Sequence, residues 1–220
     1  DIIGGLEDRG CEAADDVGGR VRTDEVDGFR LDRGFQVMLS AYPELHRSFD
    51  VPALRLKTFE PGAMIWTGRR FHRVADPFRR PGRLLESAIA PIGSLPDKAR
   101  MALLLQRLKH ADPRELLHGA DIPTIDALRA DGFSERIIGL FFRPLVGGIQ
   151  LDPELSASRR MFDIILRCLA VGESCVPALG MQSIPRQLAA QLNPGTVHVS
   201  TAVAAVESGR LTTTDGRSIA

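Results

Sequence analysis

The chain has 220 residues, 44% of them hydrophobic, enough to bury a core as one large domain or two intertwined ones. Its 28 basic side chains balance 28 acidic ones, so composition gives no support for nucleic acid as a partner. One Trp and one Tyr leave little from which to build an aromatic base-stacking platform.

Cys11, Cys168 and Cys175 form an odd set without a CxxC spacing. That argues against a disulfide framework or a zinc site and fits a reduced, cytoplasmic setting. No secretory signal stands out, and no apolar run approaches the roughly 18 to 20 residues of a spanning helix. His46, His72, His110, His118 and His198 are scattered, with no pair at metal-ligand spacing, so no metal is expected.

In chain order, Ile2-Ile3 followed by Gly4-Gly5 reads as a buried strand entering a tight turn. L-E-D-R-G-C (6 to 11) looks like a helix tail and the bend after it, joined to Glu12 without a strand. F-R-L-D-R-G (29 to 34) alternates as a short strand does. Y-P-E-L-H-R-S-F (42 to 49) is expected to be helical. L-R-L-K-T-F, A-M-I-W and R-F-H-R-V between Leu54 and Val74 are expected to be strands, with T-G-R-R (67 to 70) turning the last two into a hairpin.

The middle is predicted to be helical. One helix begins at Pro96-Asp97 and ends in basic residues, as a helix dipole favours. T-I-D-A-L-R-A-D-G closes on Gly132 as a C-cap. Two further helices start at Ser134 and Ser158, the first running to Pro144. M-Q-S-I-P-R-Q-L-A-A-Q-L (181 to 192) is another. T-V-H-V, V-A-A-V-E and L-T-T-T return to strands. This order predicts an α/β fold: a Rossmann-like nucleotide-binding domain in segments 1–41 and 180–220, interrupted by a mixed β/helical domain over 42–179.

The chemistry concentrates in E-A-A-D-D-V-G-G-R-V-R-T (12 to 23). A dinucleotide site needs glycines after its first strand, so that backbone N–H groups and a helix N-terminus meet the pyrophosphate. Gly4 and Gly5 are the candidates. It also needs an acidic residue to accept hydrogen bonds from ribose hydroxyls, and Glu12 has that character. Gly18 and Gly19 would admit close backbone approach, and Arg20 would bring a planar cation to phosphate oxygens. Each element alone is an ordinary turn or a solvated side chain; the combination raises the signal.

E-x5-G-G-R-x-x-T followed by G-F-R-L-D-R-G-F-Q-V resembles the flavin-containing amine oxidase superfamily, which includes monoamine and polyamine oxidases, protoporphyrinogen oxidases and phytoene desaturase-type enzymes. The likeness continues through F-F-R-P-L-V-G-G-I (141 to 149), P-A-L-G-M-Q-S-I-P (177 to 185) and T-A-V-A-A-V-E (201 to 207). The later motifs are more similar to the porphyrinogen-oxidase and desaturase side. The resemblance implies an FAD-dependent oxidoreductase. Glu12 would bind the adenosine ribose of FAD, Gly18, Gly19 and Arg20 its pyrophosphate, Gly34 would lie near the flavin, and Val203 would offer backbone to the adenine. It also implies a largely apolar small-molecule substrate, porphyrinogen-like, carotenoid-like or an amine. No residue is singled out as catalytic, because hydride transfer to flavin needs no obligatory acid–base pair.

The spacing departs from the pattern. Gly5 and Glu12 are seven positions apart, where the fingerprint places its acid about 20 residues beyond the glycines and a parallel crossover needs at least about 10 to 12. Most of the first turn, its helix and the second strand are expected to be missing from this stretch, and the family's last portion likewise. The rival reading is a relative that keeps the scaffold without retaining flavin. Arg69 to Arg83 holds six arginines against Asp76. It reads first as a solvated face, with an anionic substrate or a peripheral membrane surface as the alternative.

Overall fold

Residues 10–34, 37–74, 82 and 88–219 are described in the computed structural model. The strands in chain order are β1 (Gly10–Cys11), β2 (Arg22–Val26), β3 (Phe29–Arg33), β4 (Met38–Leu39), β5 (Lys57–Thr58), β6 (Ala63–Trp66), β7 (Phe71–Val74), β8 (Ser174–Val176), β9 (Val197–His198), β10 (Val203–Glu207), β11 (Arg210–Thr213) and β12 (Ser218–Ile219). With the helices between them they give a mixed α/β fold. The chain divides into two units. The first takes the residues up to Met38, Tyr42–Thr58 and those from Cys175 onward; the second takes Leu39–Ala41 and Phe59–Ser174.

In the first unit β1 pairs in parallel with β9, Gly10 against Val197 and Cys11 against His198. This corrects the expectation of a bend with no strand before Glu12. β2 and β3 form an antiparallel hairpin closed by Asp27 and Gly28, both at positive φ (51° and 82°). Two such residues give the turn whose twist matches its flanking strands. β2 was not expected, because R-T-D-E-V offers no apolar alternation for a sheet face.

The expected strand at L-R-L-K-T-F is only partly extended. Asp50 accepts from the Ala53 N–H (3.2 Å) and Pro52 stands in the first turn, so Val51–Leu54 winds into a helix that ends at left-handed Arg55. Only Lys57 and Thr58 remain as β5, paired with Val176 and Cys175 of β8. The Ser183–Ala189 helix docks through Gln187, whose amide exchanges two 3.0 Å hydrogen bonds with the Asp50 backbone. Met38, Leu45, Leu54, Cys175 and Met181 form this unit's buried core.

The second unit is mainly helical. Its longest helix, Leu95–His110, starts at a capping box: Asp97 N–H donates to Ser94 Oγ (3.2 Å), and Ser94 N–H donates to Asp97 Oδ2 (2.8 Å). Thr124–Ala130 is followed by Gly132 at φ 82°. Arg159–Val171 is capped by Ser158, which accepts from the Arg160 N–H at 3.2 Å. The helix expected to end at Pro144 instead continues as a π-helix over Ile138–Gly147 and on to Gln150. Proline lacks an N–H and crowds the carbonyl four residues back, and a wider helix relieves that crowding. Leu108, Leu128, Ile138, Phe142, Val146, Leu155 and Phe162 are wholly buried in the core of this unit.

Candidate functional site

The site residues expected from the sequence gather in the first unit, apart from Gly4 and Gly5, which lie outside the described residues. Glu12 stands immediately after β1, at the C-terminal end of a parallel pair. Its N–H donates to His198 O (2.9 Å) and its carbonyl accepts from the Thr201 N–H (2.8 Å). The Ser200 N–H donates to Ala14 O at 2.7 Å, so the chain leaving β9 is tied to the Glu12 loop just before it enters β10 at Val203. The half-buried Glu12 carboxylate accepts from the Ala14 N–H through Oε1 (2.9 Å).

Gly18 and Gly19 both lie at positive φ, 113° and 54°. They differ in their surroundings. A Cβ on Gly18 would come within 2.5 Å of Val21 O and 2.7 Å of Pro185 Cγ, whereas one on Gly19 would meet nothing within 4 Å. Gly18 is therefore required by the turn itself, and Gly19 leaves open space beside the backbone. Arg20 is exposed, and its guanidinium has no partner among the described residues. Arg22, by contrast, is taken up by Asp15 at 2.6 Å, a bond that lowers the Asp15 pKa. Gly34, at φ 71°, sits over Arg20: its Cβ would lie 3.1 Å from the Arg20 carbonyl.

The second unit holds an apolar cavity of about 280 Å³ walled by Val74, Met101, Leu105, Phe141, Leu145 and Leu166, with Glu60 and Ser174 as polar members. Its size is at the lower end for a small-molecule site. Among the described residues no group of three or more His, Cys, Asp or Glu is placed to hold a metal ion. No described helix is long and apolar enough to cross a membrane.

A family profile for flavin containing amine oxidoreductases matches residues 11–220. The chain belongs to that family. The search of curated proteins returned no match. Among solved structures, this family member is similar to a protein assigned as a protoporphyrinogen oxidase from Exiguobacterium sp. 255-15, with a TM-score of 0.58 and 19% identity over 94% of this chain and 51% of that one. It is similar to a putrescine oxidase bound to putrescine (TM-score 0.56, 21% identity, 94% and 49% of the two chains). It is also similar to RAB GDI from Plasmodium falciparum (TM-score 0.55, 13% identity, 94% and 57%). At these identities the likeness shows the fold. The chain spans about half the length of the two oxidases.

Sequence reasoning missed the network that fixes the glycine turn of this amine oxidoreductase family member. Asp16 Oδ2 accepts from Gln182 Nε2 (2.9 Å) and from Arg186 Nη2 (2.6 Å), and the Arg186 guanidinium holds the Asp16 carboxyl below its usual pKa. Gln182 Oε1 in turn accepts from the Thr23 N–H (3.3 Å), and the Gln182 N–H donates to Thr23 Oγ1 (3.1 Å). The D-D-V-G-G, R-x-x-T and L-G-M-Q motifs thus form one assembly. Their joint appearance in the sequence was the signal, but nothing local said that they touch.

Proposed function

We propose that the protein is an FAD-dependent oxidoreductase that takes a hydride from a largely apolar small molecule. The observation that carries this reading is Glu12 at the C-terminal end of a parallel strand, in one unit with the open Gly19 turn and with Arg20, which has no partner among the described residues. Ribose hydroxyls need a carboxylate at such a strand end, and a pyrophosphate needs bare backbone and a planar cation. These residues fit the group: Glu12 has Oε2 to offer, Gly19 has no side chain in the way, and Arg20 gives up no hydrogen bond or ion pair with the described residues to turn toward phosphate. Val203 would border the adenine from β10.

Bound there, flavin supplies a two-electron acceptor, the chemistry that no side chain of this chain offers. The chain's own part is to bind and orient. On this reading the segments 1–41 and 180–220 hold the FAD, and the cavity between the β6–β7 hairpin and the helices, within 42–179, takes an apolar body and keeps water from it. The apolar lining suits a hydrocarbon surface better than a charged amine, and a cavity of about 280 Å³ takes part of a porphyrinogen or a polyene rather than the whole. The three cysteines are thiols, in keeping with a cytoplasmic location.

A second reading, a scaffold that retains no flavin, draws on the match to RAB GDI, whose name is not that of an oxidase. The test is flavin retention by the purified full-length protein and by its Arg20→Ala variant. Wild type should keep FAD through gel filtration and the variant should lose most of it. Equal retention by the two would remove Arg20 from the site.

A further inference from the structure

Several polar contacts inside the helical unit converge on one buried side chain. Arg159 opens the Arg159–Val171 helix and is 8% exposed. Its Nε donates to Asp163 Oδ1 one turn further along (2.6 Å), and its Nη1 donates to Asp131 Oδ2 (3.0 Å), just past the end of Thr124–Ala130. The guanidinium carbon stands 5.3 Å from the centroid of the Phe162 ring. The second oxygen of Asp163 faces Nη2 of Arg107, on the Leu95–His110 helix, at 3.6 Å. Arg167 adds a further tie between the same two helices, donating from Nε to Ala111 O at 3.0 Å.

These ties stand beside the apolar cavity. Leu105 is two residues from Arg107 and Leu166 is three from Asp163, and both line the cavity, as do Met101 and Leu169 on the same two helices. Leu104, Leu108, Phe162 and Leu166 of these helices share one buried core. Apolar packing of this kind accepts small shifts of one helix along another, and it loses uniqueness before it loses stability. A guanidinium forked between two carboxylates accepts only a narrow range of geometries, so it selects one arrangement. Stability alone does not call for it, because apolar side chains of similar volume hold a buried site as well or better.

We propose that Arg159 is a positioning residue for the cavity. By holding Asp163 and Asp131 it fixes the Arg159–Val171 helix against the Leu95–His110 helix, and the resulting separation of Leu166 from Leu105 sets the size of hydrocarbon that the cavity admits. This role rests on the reading of the cavity as the substrate site.

The test measures size selectivity in the full-length protein. Phenylnaphthylamine, a neutral dye that brightens in apolar surroundings, is displaced by octanol or by dodecanol, and the ratio of the two affinities is recorded. Dye that binds wild type but not Ala63→Phe, whose new ring fills the cavity, reports from the cavity. The dye needs no flavin, so the outcome does not depend on whether FAD is retained. An Arg159→Leu/Asp163→Leu variant removes both buried charges together and leaves their partners to water, since the Arg107 and Asp131 side chains are 56% and 40% exposed. Asp163→Asn keeps the shape and weakens the tie to Arg107, and it decides the matter if the double variant does not fold. The expected result is a dodecanol-to-octanol ratio changed by at least about fourfold, equivalent to one buried methylene. A merely structural role would lower the melting temperature and leave the ratio alone, so an unchanged ratio in folded variants would overturn the proposal. Dye binding that Ala63→Phe does not reduce would instead overturn the substrate reading of the cavity, and the positioning role with it.

Discussion

Thr23 on β2 faces Asp32 on β3, and its hydroxyl donates to the Asp32 carboxylate at 2.5 Å while accepting from the Gln182 N–H at 3.1 Å. Asp32 also accepts from the Met181 N–H at 2.9 Å. One hydroxyl and one carboxylate thereby clamp the L-G-M-Q segment onto the hairpin that follows the glycine turn. The geometry of Gly18, Gly19 and Arg20 depends on a contact made 159 residues away.

Thr23→Val keeps the shape of the side chain and removes both roles of the hydroxyl. The Gln182 N–H is left without its acceptor, at a cost of about 1–3 kcal/mol. A urea titration should show the midpoint falling with an unchanged slope. Gly180→Ala should cost at least as much, because Gly180 lies at φ 88° and an added Cβ would collide with the Thr23 side chain.

Gly18→Ala and Gly19→Ala separate structure from binding. At Gly18 the new methyl meets Val21 O and Pro185 in a strongly left-handed backbone, so the protein should be destabilised by several kcal/mol, as thermal unfolding would show. At Gly19 nothing obstructs it, and the left-handed conformation alone costs about 1 kcal/mol. Gly19→Ala should therefore fold, and its FAD content should drop, because the methyl occupies the space proposed for the pyrophosphate.

Asp97 sets an acid limit. Burial would raise its pKa, but hydrogen bonds from the Ser134 N–H (2.9 Å) and hydroxyl (2.7 Å), and from the Ser94 hydroxyl (2.7 Å) and N–H (2.8 Å), outweigh that and bring it down to about 2. The unfolded value is about 3.9. A pKa lowered by folding means that the stabilisation is complete above the unfolded value and is lost as pH falls through the folded one. Wild type should lose roughly 2 kcal/mol between about pH 4 and pH 2 from this group. Asp97→Asn should be less stable at neutral pH and show a flatter urea-midpoint profile over that interval.

The cavity in the second unit can be filled from its β6 wall. Ala63→Phe adds a ring to a position that lines it. The variant should retain FAD as wild type does, and reduction of the flavin by an apolar substrate in anaerobic stopped-flow should slow by at least about tenfold, the consequence of displacing the substrate from its position. An unchanged rate would place the substrate elsewhere.

Where the sequence foretold the fold, local chemistry carried the information. Ser94, Pro96 and Asp97 announce the start of the long helix, and T-G-R-R between alternating runs announces the β6–β7 hairpin. β2 stayed hidden because its Thr, Asp and Glu are held by pairing with β3 rather than by apolar alternation. The π-helix was illegible for a related reason: Pro144 reads as a stop, and only packing of Phe142 and Val146 in the core carries the helix past it. Glu12, Gly18, Gly19 and Arg20 stand out as candidates in the sequence because they lie within nine residues of one another. Thr23, Asp32 and Gln182 could not, since their partnership exists only in three dimensions. The strand before Glu12 is two residues long and needs β9 beside it to exist at all.

The central claim is that Glu12, Gly19 and Arg20 belong to an FAD site. It is tested most directly by the visible spectrum of the purified full-length protein after gel filtration. The account predicts flavin absorbance that co-elutes with the protein and bleaches when dithionite is added. Colourless protein that takes up no added FAD would contradict it.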